Sequence, residues 1–497
     1  MKNIWILNPD YCFKSDYDRI CMYSKKDIRY DSSPNWIGYI HPTQALILSL
    51  FTGERELETI ISDLSYEFDL PEERVNELIK GFLGNQTPIY TVWKDTKVLF
   101  PKNVLIQVGE LQDNLTYNFS SEDLMCSTEI DLTPDRSHRG PHTALWILTT
   151  KCVTSCKYCY ADRTTQYNPI SLEKALDLIE EFKELQMESI DIIGGEVMLY
   201  EHWDVVLKRL VDYGMSPTFI STKVPMTKNL VRKLSETGFQ NTFQISLDSM
   251  NDQTLKSIIG SGHGYLKRIK NGISLLEELF IPIRVDTILT THNANIAEID
   301  ALYQYIKNIQ NLELWEIRVP DASIYSCATF EEVQASMNQI VTLREYVNTT
   351  LIPTANIKII FSDDSLNPHH RQCGPEVDNF PGGSCGMLMN RVVILPDGKI
   401  TVCEQLYWQK EYIIGDLNKS TLKEVWNSQE AIRLFGSQLP KVRESSRCSR
   451  CSSLVVCNSK KRKCPVKVLR AYGTDNWDYP DPRCVFAPIP TTAIEYL

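Results

Sequence analysis

Residues 149–163 read TTKCVTSCKYCYADR, directly after an apolar stretch at Leu145–Thr149 that has the length of a buried strand. They place Cys152, Cys156 and Cys159 at C-x3-C-x2-C spacing in a loop, which we call the cysteine loop (residues 150–160). Three such thiolates can bind three irons of a [4Fe–4S] cluster and leave the fourth iron open for a small chelator. Nearby cysteines also occur in structural zinc sites, so the spacing alone leaves both alternatives open.

The sequence around this loop alternates strand-like and helix-like segments. Strand candidates lie at Leu145–Thr149, Ser189–Ile193, Thr218–Ser221, Thr242–Leu247, Ile283–Leu289 and Leu314–Val319. Helical periodicity is found at 171–186, 202–213, 226–237, 264–279, 296–309 and 329–350. Six alternations predict an α/β fold over residues 142–351: parallel strands with right-handed crossovers, closed or nearly closed into a partial (β/α)6 barrel. Active sites of such barrels lie at the carboxyl ends of the strands, where the cysteine loop is.

Residues 1–105 predict a separate α+β domain of winged-helix type. Its elements are a strand at Ile4–Leu7, an apolar stretch at Trp36–Ile40, three helices, and a β-like pair at Ile89–Trp93 and Lys97–Phe100. The second helix carries an apolar stripe from Leu57 to Phe68, and Asp69 and Glu72 have capping-box spacing before the third. Because the net charge here is not positive, a peptide is favoured over DNA as the ligand.

The remaining segments are less regular. Residues 106–141 are turn-rich and predict a linker, and beyond about residue 352 glycine, proline and cysteine replace the apolar periodicity. A segment with so little apolar pattern is expected to need bound metal to fold.

Composition limits the class of protein. The 497 residues include 52 Lys and Arg against 63 Asp and Glu, and the net charge of −11 disfavours a nucleic-acid partner. The 15 cysteines are an odd number, which argues against complete disulfide pairing. No apolar run reaches the roughly 18 residues of a membrane span, and the N-terminal run is too short for a signal peptide. We therefore expect a cytoplasmic protein with no membrane partner, whose clustered cysteines bind metal.

The cysteine loop resembles that of the radical S-adenosylmethionine (SAM) enzymes, which have an aromatic residue before the third cysteine, here Tyr158. The resemblance implies that the open iron binds SAM, whose one-electron reduction gives a 5′-deoxyadenosyl radical that abstracts a substrate hydrogen. It also implies an electron donor such as flavodoxin or ferredoxin. The SAM contacts that it implies follow successive strands: Gly194, Gly195 and Glu196, then Ser221, then Ser246 and Asp248, then Arg284. Glycine at 194 and 195 would let backbone carbonyls approach the ligand.

Residues 352–497 resemble the SPASM domain, which holds two auxiliary [4Fe–4S] clusters in radical SAM modifiers of peptides. The spacing is Cys385-x12-Gly398-x4-Cys403, then Cys448-x2-Cys451-x5-Cys457-x6-Cys464, then Cys484. The six residues before Cys464 depart from the usual three. With the SAM cluster, the resemblance implies three [4Fe–4S] clusters in total.

The resemblance also assigns the auxiliary ligands. One cluster takes Cys385, Cys403 and Cys464, which we call the first auxiliary group. The other takes the second auxiliary group: Cys448, Cys451, Cys457 and Cys484. Cys373 is the expected fourth ligand of the first cluster. If Cys373 is free instead, an open iron there could accept a substrate thiolate.

These domains together predict a radical SAM/SPASM maturase of a ribosomally made precursor peptide (a RiPP). The N-terminal domain resembles leader-recognition domains, which add the leader as a strand, here beside Ile4–Leu7 or Trp36–Ile40. The expected product is a thioether or carbon–carbon cross-link, although the sequence identifies no catalytic acid or base. Alternatives with the same cofactors are a formylglycine-type sulfatase maturase and a peptide epimerase. A different class is a redox-sensing winged-helix protein that uses its clusters as switches.

Overall fold

The structure, a computed structural model, describes residues 3–24, 36–110, 129–133, 136–325, 327–363, 385–437 and 442–491. The chain forms two compact units, the N-terminal unit (Met1–Gly140) and the barrel unit (Pro141–Leu497). Within the described ranges, every helix is too short or too polar to cross a membrane.

The N-terminal unit combines short antiparallel sheets with three helices. Its strands are β1 (Ile4–Leu7), β2 (Tyr11–Ser15), β3 (Ile20–Ser24), β4 (Ile37–Ile40), β5 (Thr52–Glu56), β6 (Ile89–Trp93), β7 (Thr96–Phe100) and β8 (Leu105–Gln107). Its helices are α1 (Pro42–Ser49), α2 (Leu57–Phe68) and α3 (Glu72–Lys80). The sheets have the strand orders β5-β1-β8 and β2-β3-β4, and β6 and β7 form a hairpin. The predicted helices and the β-like pair are therefore present.

Two expectations for this unit are wrong. Asp69 does not cap α3; it ends α2 in a left-handed conformation at φ 50°, and α3 follows Pro71 without a side-chain cap. A short polar residue tolerates this conformation better than most others do. β1 offers no free edge for a leader strand because β5 and β8 pair with its two sides, whereas β4 lies at the edge of its sheet.

The described part of the predicted linker is bound to the N-terminal unit through Arg19. This fully buried guanidinium pairs with Asp16 at 3.0 Å. It also donates to the backbone carbonyls of Asp131, Thr133 and Arg136 at 3.2, 2.6 and 2.5 Å. Asp131, Thr133 and Arg136 therefore satisfy a buried charge and are part of the fold of this unit.

The barrel unit continues the alternation of strands and helices. Its strands are β9 (Thr143–Thr149), β10 (Ser189–Gly194), β11 (Phe219–Thr222), β12 (Thr242–Ser246), β13 (Ile283–Ile288), β14 (Leu312–Arg318), β15 (Ile359–Ser362), β16 (Arg391–Ile394), β17 (Lys399–Thr401) and β18 (Ile413–Asp416). Its helices are α4 (Leu172–Glu184), α5 (Trp203–Asp212), α6 (Lys228–Glu236), α7 (Asp252–Ile259), α8 (Tyr265–Glu278), α9 (Ile296–Ile306), α10 (Cys327–Glu331), α11 (Met337–Tyr346), α12 (Ile352–Thr354), α13 (Leu422–Trp426), α14 (Gln429–Ser437), α15 (Leu454–Ser459) and α16 (Pro465–Tyr472).

All six predicted barrel strands are present, β9 to β14, and the α/β class with a partial barrel is confirmed. β11 to β15 form one parallel sheet in sequence order. β10 and β9 are parallel in a second sheet, and β10 lies beside β11. Every parallel strand therefore points its carboxyl end to the same rim.

The C-terminal segment contributes to this framework. β16 pairs in parallel with β9, and β17 and β18 extend that sheet as an antiparallel meander. Trp426 and Tyr412 are fully buried in the main core. Residues 385–437 therefore pack apolar side chains into the main core, while the expectation that the segment needs bound metal to fold stays a prediction. Its strands have only three or four residues, too few for the periodicity to show in the sequence.

Candidate metal centre

The cysteine loop begins where β9 ends, and the neighbouring helix α7 anchors it. Its backbone donates from Ser155 to Ile259 at 2.8 Å and from Lys157 to Ile258 at 3.0 Å. The buried hydroxyl of Thr154 lies 3.4 Å from the Cys152 sulfur and 3.3 Å from that of Cys156. The loop therefore holds its thiols on the rim of the barrel.

The three cysteines are partly buried in the structure. Burial raises the pKa of the Cys156 thiol to about 11 and also raises that of Cys159. Without a metal, the Cys156 and Cys159 thiols therefore stay protonated near neutral pH, whereas cluster irons would bind them as thiolates.

Gly194 and Gly195 bring the end of β10 against the cysteine loop. The amide of Gly195 donates to the Thr149 carbonyl at 2.7 Å, and that of Glu196 donates to the Lys151 carbonyl at 2.7 Å. A Cβ on Gly195 would lie 2.2 Å from the Lys151 oxygen, and one on Gly194 would lie 2.5 Å from the Thr149 oxygen. The glycines are therefore required for contact between two backbone segments, a role that the sequence analysis did not include.

The Glu196 carboxylate lies buried at the centre of this contact. It accepts from the Thr222 hydroxyl at 2.7 Å and from the Lys223 amide at 3.0 Å, and the Cys152 sulfur lies 3.8 Å away. Burial raises the pKa of Glu196, while the Thr222 and Lys223 donors oppose the increase. Glu196 thus joins the ends of β10 and β11 to the cysteine loop.

Asp248 and Tyr158 meet on the other side of the loop, together with a lysine that the sequence analysis missed. The buried Asp248 carboxylate accepts from the Tyr158 hydroxyl at 2.5 Å and from the Lys223 ammonium at 3.3 Å. It also accepts from the Ile288 amide at 2.9 Å. Lys223 follows Ser221 and Thr222 at the end of β11, and its position beside a strand end was the available signal.

The other predicted SAM contacts line the interior of the barrel below the rim. The Ser221 hydroxyl accepts from Gln244 at 3.0 Å, and Ser246 lies half-buried at the end of β12. Arg284 pairs with Asp286 at 2.7 Å and also with Glu316. The structure therefore brings these residues to the same interior, with the Arg284 guanidinium already held by two carboxylates.

Tyr407 is a second residue that the sequence did not indicate. Its ring is fully buried in a small apolar cluster against which Cys159 packs, and its hydroxyl has no hydrogen-bond partner among the described residues. Its backbone has a φ of 44°, which is strained for an aromatic residue. A buried donor without an acceptor, placed next to Cys159, fits a site that is completed by a sulfur-rich group.

The described C-terminal cysteines have one another as neighbours within each predicted group, and their assignment as cluster ligands stays a prediction. In the first auxiliary group, burial raises the pKa of Cys403 well above its usual range, and Cys464 and Cys385 lie close enough to raise it further. In the second, burial raises the pKa of Cys448 to about 11, with added effects from Cys457 and Cys484. Burial also raises the pKa of Cys457 and that of Cys484, and the neighbouring Cys451 raises both further.

Cys373 lies outside the described residues. In the described part of the chain, no three Cys, His, Asp or Glu side chains surround a single point as one metal ion requires. A four-iron cluster makes a different demand, because each of its cysteines binds a different iron.

Comparison with known families identifies the two cysteine-rich regions. The family model of the Radical SAM superfamily matches residues 146–306, and that of the SPASM iron–sulfur cluster-binding domain matches residues 385–452. The chain carries a radical SAM domain and a SPASM domain. The radical SAM match includes the cysteine loop, Glu196, Lys223 and Asp248, and the SPASM match includes Cys385, Cys403, Cys448 and Cys451.

Individual relatives are distant. The probable GTP 3′,8-cyclase of Archaeoglobus fulgidus is 24% identical over 203 residues, which cover 38% of this chain and 66% of that protein. The antilisterial bacteriocin subtilosin biosynthesis protein AlbA of Bacillus subtilis is 19% identical over 314 residues, which cover 63% of this chain and 65% of that protein. The crystal structure of Streptococcus suis SuiB bound to S-adenosylmethionine covers 97% of this chain and 100% of its own, with a TM-score of 0.61 and 14% identity. That likeness establishes the fold.

The radical SAM domain supports an iron–sulfur cluster and SAM as cofactors, and the residues present fit them. Cys152, Cys156 and Cys159 would hold the cluster, and the Tyr407 hydroxyl, which has no hydrogen-bond partner among the described residues, offers a donor near Cys159. The number of three clusters and the individual SAM contacts stay predictions.

Replacing Gly195 by Ala should displace the cysteine loop, because the new Cβ would meet the Lys151 and Thr150 carbonyl oxygens at 2.2 and 2.6 Å. We expect the iron content of anaerobically purified protein to fall by about four irons, one cluster. Gly262→Ala is the matched control, since no atom lies within 4 Å of its added Cβ. An unchanged iron content in Gly195→Ala would contradict the role given to this contact.

Proposed function

We propose that this protein is a cytoplasmic radical SAM enzyme that modifies a ribosomally made precursor peptide. The modification is a thioether or carbon–carbon cross-link within the core segment of the peptide. The N-terminal unit binds the leader segment, and the reaction takes place at the rim of the barrel unit.

The observation that carries this proposal is the packing of Tyr407 and Cys159 in one apolar cluster. Tyr407 is fully buried in that cluster, and Cys159 of the cysteine loop packs against it. In the chain, Tyr407 follows closely after Cys403 of the first auxiliary group. The first auxiliary group therefore lies near the cysteine loop, which suits the transfer of an electron from substrate at the rim to an auxiliary cluster.

A cross-link removes two hydrogens from the peptide, one as a hydrogen atom and the other as a proton and an electron. SAM held at the cysteine loop would supply, on one-electron reduction, the 5′-deoxyadenosyl radical that takes the first hydrogen atom. Bond formation would release the second hydrogen as a proton, and an auxiliary cluster held by the first auxiliary group would accept its electron. A fully ligated first auxiliary cluster, with Cys373 as its fourth ligand, suits this role because it has no open iron.

The chain offers polar groups around the place where substrate would enter. Arg318, at the end of β14, is half exposed and lies 3.2 Å from Glu316 and 3.5 Å from Asp286. Its guanidinium is thus held by two carboxylates while part of it faces solvent. It also lies near enough to Tyr160 to lower the pKa of that hydroxyl against the effect of burial.

An apolar groove in the N-terminal unit suits a leader segment. Its volume is about 290 Å³, and its apolar lining comes mainly from α1, α2 and α3: Ile47, Leu48, Phe51, Leu64, Phe68, Leu70, Val75, Leu78, Ile79 and Phe82. Exposed carboxylates Glu67, Glu73 and Glu77 lie on α2 and α3. Together they favour a peptide with apolar anchors flanked by Lys or Arg. The free edge of β4 is the alternative place for strand addition.

A polar cleft beside Cys152 suits the electron donor. It encloses about 740 Å³ on the outer side of the cysteine loop and includes Lys151 and Arg163, both exposed, together with Tyr167. Basic residues around the approach to a redox centre favour acidic carriers such as flavodoxin or ferredoxin.

Two cysteine variants separate cofactor chemistry from product formation. Cys156→Ala should abolish 5′-deoxyadenosine production, because only two thiols remain at the cysteine loop. Cys451→Ala should retain more SAM cleavage than product formation, because it affects the second auxiliary group. Chromatography of 5′-deoxyadenosine and mass spectrometry of the co-expressed peptide measure the two outcomes.

The mass of the peptide also distinguishes the alternatives. A cross-link lowers the mass by two hydrogens, an epimer leaves it unchanged, and formylglycine formation converts a single cysteine or serine. A redox sensor would show no reductive cleavage of SAM. Equal losses of SAM cleavage in the two variants would contradict the separate role of the auxiliary clusters.

Leu78→Asp should weaken leader binding about tenfold, because it removes an apolar contact and places a charge in the groove. Leu78 lines the groove with 52% of its surface exposed. Tyr66→Asp is the control, on α2, 89% exposed and outside the groove lining. Fluorescence anisotropy with the labelled peptide encoded beside the gene measures the affinity of the full chain. Equal affinities for the two variants would place the leader elsewhere.

A further inference from the structure

We propose that Lys223 is a positioning residue that holds a fixed positive charge beside the cysteine loop and thereby favours one-electron reduction of the cluster bound there. This role goes beyond the proposed peptide modification and depends only on the presence of the cluster.

The Lys223 side chain is buried and fixed from several directions. It is 9% exposed, and its ammonium lies 3.3 Å from Asp248 and 5.6 Å from the centre of the Tyr158 ring. Its backbone amide donates to Glu196 at 3.0 Å, and its carbonyl accepts from the Tyr265 hydroxyl at 2.8 Å. The backbone contacts fix the start of the side chain, and the ion pair with Asp248 holds its ammonium in the buried site.

The Lys223 ammonium lies beside the cysteine loop. It is 5.6 Å from the centre of the Tyr158 ring, and Tyr158 stands between Cys156 and Cys159 in the chain. The backbone amide of Lys223 donates to Glu196, whose carboxylate lies 3.8 Å from the Cys152 sulfur. The lysine therefore places a cation next to the segment that carries all three thiols.

Reduction of the cluster adds one negative charge to a buried site that already contains carboxylates and thiolates. A cation in a poorly solvated environment stabilises that charge far more than one in water, because the effective dielectric constant is low. The reduced cluster therefore gains stability from Lys223, and the donor can reduce it at a higher potential.

The same arrangement occurs at the second auxiliary group. Lys463 is 3% exposed and donates to the Asn458 side chain at 2.8 Å. Asn458 follows Cys457 directly in the chain, so the Lys463 ammonium lies beside the second auxiliary group. A buried lysine beside two separate groups of thiols fits a common electrostatic role.

The test is an anaerobic redox titration of the full-length, cluster-loaded protein, followed by electron paramagnetic resonance. The cluster of the cysteine loop is identified as the signal that changes when SAM is added. In Lys223→Met, we expect the ratio of reduced to oxidised cluster at a fixed potential to fall about tenfold. Lys223→Arg should restore most of the ratio because it keeps the charge.

Two lysine controls locate the effect. Lys157→Met removes a lysine of the same loop whose side chain is 38% exposed and pairs with Glu332, and it should leave the ratio unchanged. Lys463→Met should change the paramagnetic resonance signal of the cluster at the second auxiliary group, which is a signal that does not respond to SAM. An unchanged ratio in Lys223→Met, at normal iron content, would overturn the proposal, as would an equal shift in Lys157→Met.

Asp248→Asn keeps the test decisive if Lys223→Met loses its cluster. It removes the negative partner and keeps the lysine, so the ratio of reduced cluster should rise. A fall in that ratio would also overturn the proposal. Iron content, measured for every variant, separates a loss of the cluster from a shift in its potential.

Discussion

The site depends on the close contact between the end of β10 and the cysteine loop. Two backbone hydrogen bonds of 2.7 Å, from Gly195 and Glu196 to the carbonyls of Thr149 and Lys151, join the ends of adjacent parallel strands. Only glycine fits at 194 and 195, because any Cβ there would overlap these carbonyls. The contact fixes the loop that carries the thiols, and it places the Glu196 carboxylate between the loop and β11.

Burial then determines how the charges around the loop are arranged. Glu196 accepts hydrogen bonds from the Thr222 hydroxyl and from the amide of Lys223. Asp248 accepts hydrogen bonds from the Tyr158 hydroxyl and from the Lys223 ammonium. Burying a carboxylate without such partners would destabilise the fold. The end of β11 therefore supplies hydrogen-bond donors to the carboxylates that follow β10 and β12. The result is a rigid rim in which hydrogen-bond donors and a cation surround the place of the cluster. In the proposed reaction, such a rim would hold the reacting groups in a fixed geometry against one hydrogen of the substrate.

Much of the framework could be predicted from the sequence. The six barrel strands show as short apolar segments between helical patterns, and their observed bounds lie within two residues of the predicted ones. Cysteine spacing identified both metal-binding regions. The amphipathic stripe of α2 and the hairpin of β6 and β7 were also visible as local patterns.

The rest depends on contacts between distant segments, which no local pattern records. β2 and β3 carry too little alternation to be recognised, and β16 pairs with β9 across more than two hundred residues of chain. Asp69 resembled a helix start because its spacing to Glu72 is that of a capping box, but it ends α2. Lys223 and Tyr407 gain their significance only from burial beside the cysteine loop.

The central claim is that the cysteine loop holds an iron–sulfur cluster with one iron open to SAM. Mössbauer spectroscopy of the anaerobically purified, iron-57-labelled protein, with and without SAM, tests it most directly. The account predicts that SAM changes the spectrum of one iron site of a single [4Fe–4S] cluster, in a protein with about 12 irons if both auxiliary clusters are present. Bound zinc without labile sulfide, or iron spectra that do not respond to SAM, would contradict it.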